Sequence, residues 1–164
     1  MKEVRLSGIA YESLVNGPGL RRVFFAQGCR HNCIGCFNPE THDFKKGEVM
    51  DMDRLIEDVR ENPLLKGITF SGGDPMEQAD KFTYMAKEFK KLDLNIWCYT
   101  GYKFEEIIED EDKREFLNYI DVLVDGKFKE ELEDEKLKYK GSSNQRIIDV
   151  QKSLKKKEVE VLDL

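Results

Sequence analysis

Two rhythms of apolar residues run along this chain. Dense apolar runs fall at 4–10, 23–26, 67–70, 94–99 and 122–124, with a weaker one at 146–150, and they read as strands. Between them the spacing changes. Met52, Leu55, Ile56 and Val59 stand at i, i+3, i+4 and i+7, one face of a helix that opens after Asp51 as N-cap and closes before Pro63. Ala79, Phe82, Ala86 and Phe89 mark a second helix. Phe104, Ile107 and Ile108 start a third, which breaks near 110–112 before Phe116, Leu117 and Ile120. Strands alternating with helices predict an α/β fold, a parallel sheet covered by helices. No internal repeat or linker divides residues 1–164, so a single domain is expected, too short for a complete α/β barrel.

Ligand sites in parallel α/β folds gather where the strands end at their carboxyl side. Four unusual loops follow strands at such ends: GCRHNCIGCFNPE after 23–26, SGGDP after Phe70, TGY after Tyr99 and DGKF after Val124. Their common placement predicts one composite site on one rim.

The strongest chemical signal is Cys29, Cys33 and Cys36, a C-x3-C-x2-C array on a loop that Gly28, Gly35 and Pro39 keep irregular. Three close thiolates can anchor a cuboidal iron–sulfur cluster, whose usual complement is four cysteines, and one iron is then open to a ligand. The spacing leaves open a zinc site completed by His31 or His42. His31, between two candidate ligands, also reads as part of a cluster's cover. Cys98 alternates with apolar neighbours in NIWCYT and reads as a core residue. As a ligand it would instead complete a four-cysteine electron carrier.

In Ser71, Gly72, Gly73, Asp74, Pro75 the plain reading is a glycine turn, Asp74 as N-cap and Pro75 at the first helical position. The functional reading adds close backbone approach to a ligand, with carbonyls and the Asp74 carboxylate accepting hydrogen bonds from an ammonium group. Asp125 and Lys127 in DGKF close a turn, or offer an acid and a base to a zwitterion. Asn16, Gly17, Pro18 and Gly19 form a tight turn before Arg21 and Arg22, strand residues of which one is expected to face solvent. The polar run 141–146, GSSNQR, passes for a loop.

The cysteine array is the signature of the radical S-adenosylmethionine superfamily, and the resemblance extends from about Asn16 to Val150. The segments NGPGLRRVFFAQGCRHNCIGCFNPETHDF, TFSGGDP, YTGY, IDVLVDGKF and KGSSNQRIIDV resemble, in order, the activating components of anaerobic ribonucleoside-triphosphate reductases. The resemblance implies an open, truncated radical-SAM (β/α) barrel of about five or six mostly parallel strands, with the cluster at the C-terminal rim. It implies a 4Fe-4S cluster on Cys29, Cys33 and Cys36 whose open iron is chelated by S-adenosyl-L-methionine. One electron, from a donor such as flavodoxin, would give methionine and a 5′-deoxyadenosyl radical that generates a glycyl radical on the reductase. Cofactor contacts are implied at Phe37, Asn38, Ser71, Gly72, Gly73, Asp74, Thr100, Tyr102, Asp125 and Lys127. The partner would be met by Asn16, Gly17, Arg21, Arg22, Ser142, Ser143, Asn144, Gln145 and Arg146. This sequence departs from the wider superfamily in having Gly35, not an aromatic residue, before the third cysteine; Phe37 follows it instead.

Charge and composition narrow the partners. A formal net charge of −6 offers nucleic acid no footprint, and Lys155, Lys156 and Lys157 are followed by Glu158 and Glu160, a solvated helix face. No apolar run approaches a membrane span, and MKEVRLSGIAYES lacks the apolar centre of a secretory leader, so a cytoplasmic protein is expected. Three clustered cysteines and one remote suit metal binding in a reducing compartment better than a disulfide framework.

Overall fold

The computed structural model describes residues 2–31, 33, 35–36 and 39–164. Seven strands form one mixed sheet: β1 (Glu3–Ser13), β2 (Arg21–Ala26), β3 (Glu48–Asp51), β4 (Gly67–Gly72), β5 (Asn95–Tyr99), β6 (Val122–Asp125) and β7 (Arg146–Asp149), in the order β3-β1-β2-β4-β5-β6-β7. The helices are α1 (Met52–Arg60), α2 (Ala79–Lys91), α3 (Phe104–Ile107), α4 (Glu111–Leu117) and α5 (Val150–Lys156), with 3-10 turns at Pro39–Thr41, Pro75–Gln78 and Glu130–Leu132. Among the described residues no helix is long and apolar enough to cross a membrane.

The expected count of five or six mostly parallel strands is corrected in two ways. Only β2, β4, β5 and β6 run parallel; β1, β3 and β7 pair antiparallel. The connections explain this, since a parallel neighbour needs a crossover of about a dozen residues or more, usually helical. The 14–20 link between β1 and β2 holds no helix, and the 126–145 link before β7 holds only a 3-10 turn, so both return as antiparallel neighbours. The seventh strand, β3, escapes the apolar pattern because its residues EVMD lie at the sheet edge and are mostly exposed.

Alternation within the strands separates two faces. Phe24, Ala26, Ile68, Phe70, Ile96, Cys98, Leu123 and Ile148 join the helices' apolar faces in the main core. The four residues that define α1, Met52, Leu55, Ile56 and Val59, are all buried, and Asp51 caps the helix by accepting from the Asp53 amide at 3.0 Å. The anticipated break is real: α3 ends at Ile107, and Asp110 caps α4 by accepting from the Lys113 amide at 3.1 Å. Phe70 touches the rings of Phe24, Phe82, Phe89 and Phe116, and burying each such side chain contributes about 1.5–3 kcal/mol. Helices cover this face. The other carries a smaller cluster of Trp97, Val122, Val124 and Ile147, with Tyr99, Tyr139 and Leu162 against it. Beside that cluster lies a groove of about 530 Å³, bordered by Val15, Asn16, Phe25, Ser71, Tyr99 and Tyr139.

Candidate functional site

The four rim loops meet. Beyond the carboxyl ends of β2, β4, β5 and β6, the side chains of Cys29, Cys33, Cys36, His31 and His42 share a cavity of about 120 Å³ with Gly72, Gly73, Thr100, Gly101, Gly126 and Gln145. Backbone bonds set its floor: the Gly28 amide donates to Thr41 O at 2.6 Å, Cys29 to His42 O at 3.2 Å and Asp74 to Gly28 O at 2.8 Å. Gly28 and Gly35 take φ of +111° and +75°, the conformations that keep the cysteine loop irregular. Tyr99, Phe128 and Gln145 border both this cavity and the 530 Å³ groove, so the two adjoin.

The cysteines are half-buried, and among the described residues no disulfide forms. Burial, then repulsion from Asp74 and the other two cysteines, pushes the Cys29 thiol up to about 11. Burial first and Cys36 second raise Cys33. Thiols so placed hold their protons until a cationic centre displaces them. His42 adds a buried Nε2 with no hydrogen-bond partner on the same cavity. Among the described residues, no three His, Cys, Asp or Glu groups gather tightly enough for a single ion. A cuboidal cluster seats each thiolate on a separate iron. His31 is already committed to Asp74, at 2.6 Å. Three thiols on one cavity therefore fit a cluster by their donor chemistry. Cys98 is fully buried on the helix-covered face, its thiol raised well above the ordinary range by burial, which fits a core residue and not a fourth ligand.

Phe37 and Asn38 lie outside the described residues. Asp74 is fully buried and accepts from His31 Nε2 at 2.6 Å, from the Thr100 hydroxyl at 2.9 Å, from the Gly101 amide at 2.9 Å and from the Met76 amide at 3.0 Å. Four donors fill the acceptor positions of a carboxylate. Asp74 thus pins the rim together. A Cβ on Gly73 would stand 2.5 Å from Gly28 O, and one on Gly72 would overlap the Ala26 backbone, so both glycines serve the approach of β4 to the cysteine loop. Thr100 is buried on Asp74, and the Tyr102 hydroxyl donates to Glu77 Oε1 at 2.5 Å.

Asp125 is likewise buried and engaged. It accepts from the Phe104 amide at 2.8 Å and from Arg146 Nε and Nη2 at 3.0 and 2.5 Å, while Arg146 also reaches Glu105 at 2.6 Å. Arg146 is held above its ordinary range by Asp125 and then Glu105. Asp125, expected with Lys127 to meet the two charges of a zwitterion, pairs across the sheet with Arg146 of β7, and Lys127 is exposed. The GSSNQR segment buttresses this turn: Gln145 Nε2 donates to Gly126 O at 3.0 Å, Asn144 Nδ2 to Lys127 O at 2.8 Å, and the buried Ser142 hydroxyl accepts from the Lys129 amide at 3.2 Å. Ser143 is exposed.

Both arginines are buried, so neither is the solvent-facing strand residue expected. Arg21 is 1% exposed at the opposite ends of the strands, donating to Pro18 O, Thr69 Oγ1, Ile68 O and Asn95. Burial pulls its pKa down to about 10. Gly17, at φ +127°, leaves room for that side chain, and Asn16 O accepts from Thr69 Oγ1 at 2.6 Å. Arg22 donates to Tyr11 O at 3.2 Å. The 16–19 turn thus packs toward the starts of β2 and β4, with Asn16 reaching the groove. Sequence reasoning missed His31 as an anchor and Gly101 as its clearance. The available signal was a histidine between cysteines together with a carboxylate on the neighbouring loop.

This geometry describes a protein whose rim is built to hold an iron–sulfur cluster, and the comparisons agree. The family described as "4Fe-4S single cluster domain" matches residues 15–148. Anaerobic ribonucleoside-triphosphate reductase-activating proteins of Haemophilus influenzae and of Enterobacteria phage T4 are each 38% identical to this chain, over 82% of it and 90% of the former, and over 81% of it and 86% of the latter. That of Vibrio cholerae is 39% identical over 82% of this chain and 90% of its own. The chain belongs to this family of reductase-activating proteins. The crystal structure of QueE from Escherichia coli aligns with a TM-score of 0.48 at 13% identity, covering 62% of this chain and 54% of that one.

Proposed function

We propose that this chain is a radical S-adenosylmethionine activase that generates a glycyl radical on an anaerobic ribonucleoside-triphosphate reductase. The observation that carries the reading is the convergence of Cys29, Cys33 and Cys36 on a strand-end cavity that adjoins an open groove, in a chain of this family. Cys29, Cys33 and Cys36 would hold a 4Fe-4S cluster, which when bound and reduced would supply the electron for reductive cleavage of S-adenosyl-L-methionine. The chain's own residues bind and orient. The three cysteines would hold the cluster, and Ser71, Gly72 and Gly73 bring the end of β4 alongside the cysteine loop. Thr100, Gly101 and Asp74 keep the neighbouring strand ends in register. Asp125, through Arg146, and the 141–146 segment shape the far wall, leaving Lys127 at its lip. Tyr99 and Phe128 stand where the cavity adjoins the groove, and the groove would receive a protein segment carrying the glycine without a closed pocket.

In the same reading, residues 1–164 form one open, truncated radical-SAM domain that works in the cytoplasm and receives its electron from a carrier such as flavodoxin. The test is chemical. Anaerobically reconstituted protein should contain iron and acid-labile sulfide and, once reduced, release 5′-deoxyadenosine and methionine from S-adenosyl-L-methionine. Zinc in place of iron, or a reduced cluster that leaves S-adenosyl-L-methionine intact, contradicts it.

A further inference from the structure

His31 stands between two proposed cluster ligands and borders the same cavity, yet its side chain is 6% exposed and engaged by Asp74, with Nε2 2.6 Å from Oδ2. A carboxylate only accepts, so the imidazole donates from Nε2. The ring edge packs on Tyr102 at 4.5 Å between centroids and 71° between planes. A Cβ at Gly101 would fall 2.5 Å from His31 Cδ2, and Gly101 has no left-handed φ, so clearance for the imidazole is what requires a glycine there. The remaining donors to Asp74 come from the end of β5, Thr100 and Gly101, and from the turn after β4, Met76. One bond thus fastens an irregular loop to two strand ends.

We infer that His31 is a positioning residue: acting through Asp74, it fixes the cysteine loop before any cluster is bound, and it is not a metal ligand. Groups behind a ligand set orient it in this way, and a loop ordered beforehand loses less entropy when the group binds. The inference relies on the cluster-binding reading of the loop, but its first test does not.

That test is amide hydrogen exchange on metal-free protein, comparing the parent with His31→Leu, which fills the space without a donor, and His31→Gln, which keeps one. Exchange at described amides between Cys29 and Cys36 and at Gly101 should quicken about tenfold in His31→Leu, the loss expected for a charge-assisted hydrogen bond. It should stay near the parent's in His31→Gln, with β4 and β5 unchanged in both. Gly101→Ala, which displaces the imidazole, should resemble His31→Leu. After anaerobic reconstitution, His31→Leu should bind less iron and give a heterogeneous paramagnetic signal on reduction, while His31→Gln gives the parent's single signal. The proposal is overturned if His31→Leu exchanges like the parent, if His31→Gln is as fast as His31→Leu, or if β4 and β5 lose protection by the same factor. Full iron and identical spectra in all variants overturn it too. A parent that binds its cluster but leaves S-adenosyl-L-methionine intact sinks the proposed activity while the exchange result stands.

Discussion

At the scale of single residues, the site depends on a carboxylate that faces inward. Asp74→Ala would leave the His31 ring N–H, the Thr100 hydroxyl and the Gly101 amide without their acceptor. Unsatisfied buried donors should lower stability by about 3 kcal/mol in urea unfolding and also reduce iron loading. An acid that touched only the cofactor would leave stability and loading intact and change only cofactor affinity. The sequence makes Asp74 legible as a polar group on the rim, and its capping of the turn before α2 follows from the same pattern. Its second task was hidden, because whether a carboxylate binds a ligand or its neighbours depends on donors contributed by His31 and Gly101, distant in the chain. The cysteines were legible because the spacing of ligands on one loop is local information.

At the scale of elements, the rim is closed by an ion pair between β6 and β7. Arg146→Leu strands the buried Asp125 and should cost about 3 kcal/mol, since an uncompensated buried charge is the expensive case. Glu105→Gln removes an exposed partner of the same arginine and should cost about 0.5 kcal/mol or less once solvent screening is counted. Parallel urea titrations separate the two. Glu105 is held below its ordinary 4.5 by its bond to Arg146, so its small contribution is present above that value and is lost as pH falls through the lower, folded-state value. Strands β2, β4, β5 and β6 and the helices between them could be read from hydrophobic period alone. Strand β3 could not, because a polar edge strand carries no apolar face. The direction of β1 and β7 depended on what their connections lack, a crossover helix, which an apolar pattern does not report.

At the scale of the whole molecule, the two ends of the parallel strands divide the work. One end carries the cysteines. The other is stitched by Arg21, whose bonds tie the 16–18 backbone to the starts of β4 and β5. Arg21→Met should therefore lower the urea midpoint, with a loss of about 2 kcal/mol from unsatisfied carbonyls, while cluster loading in the folded variant equals the parent's. Loss of loading with unchanged stability would place Arg21 in the functional site. The central claim, that this chain uses a three-cysteine cluster to place a radical on a reductase, is tested most directly by electron paramagnetic resonance. Reduced protein and S-adenosyl-L-methionine are mixed anaerobically with an anaerobic ribonucleoside-triphosphate reductase, and separately with pyruvate formate-lyase. The account predicts a glycyl signal on the reductase that vanishes with Cys29→Ala, Cys33→Ala or Cys36→Ala and persists with Cys98→Ala; a signal confined to pyruvate formate-lyase, or one that requires Cys98, would contradict it.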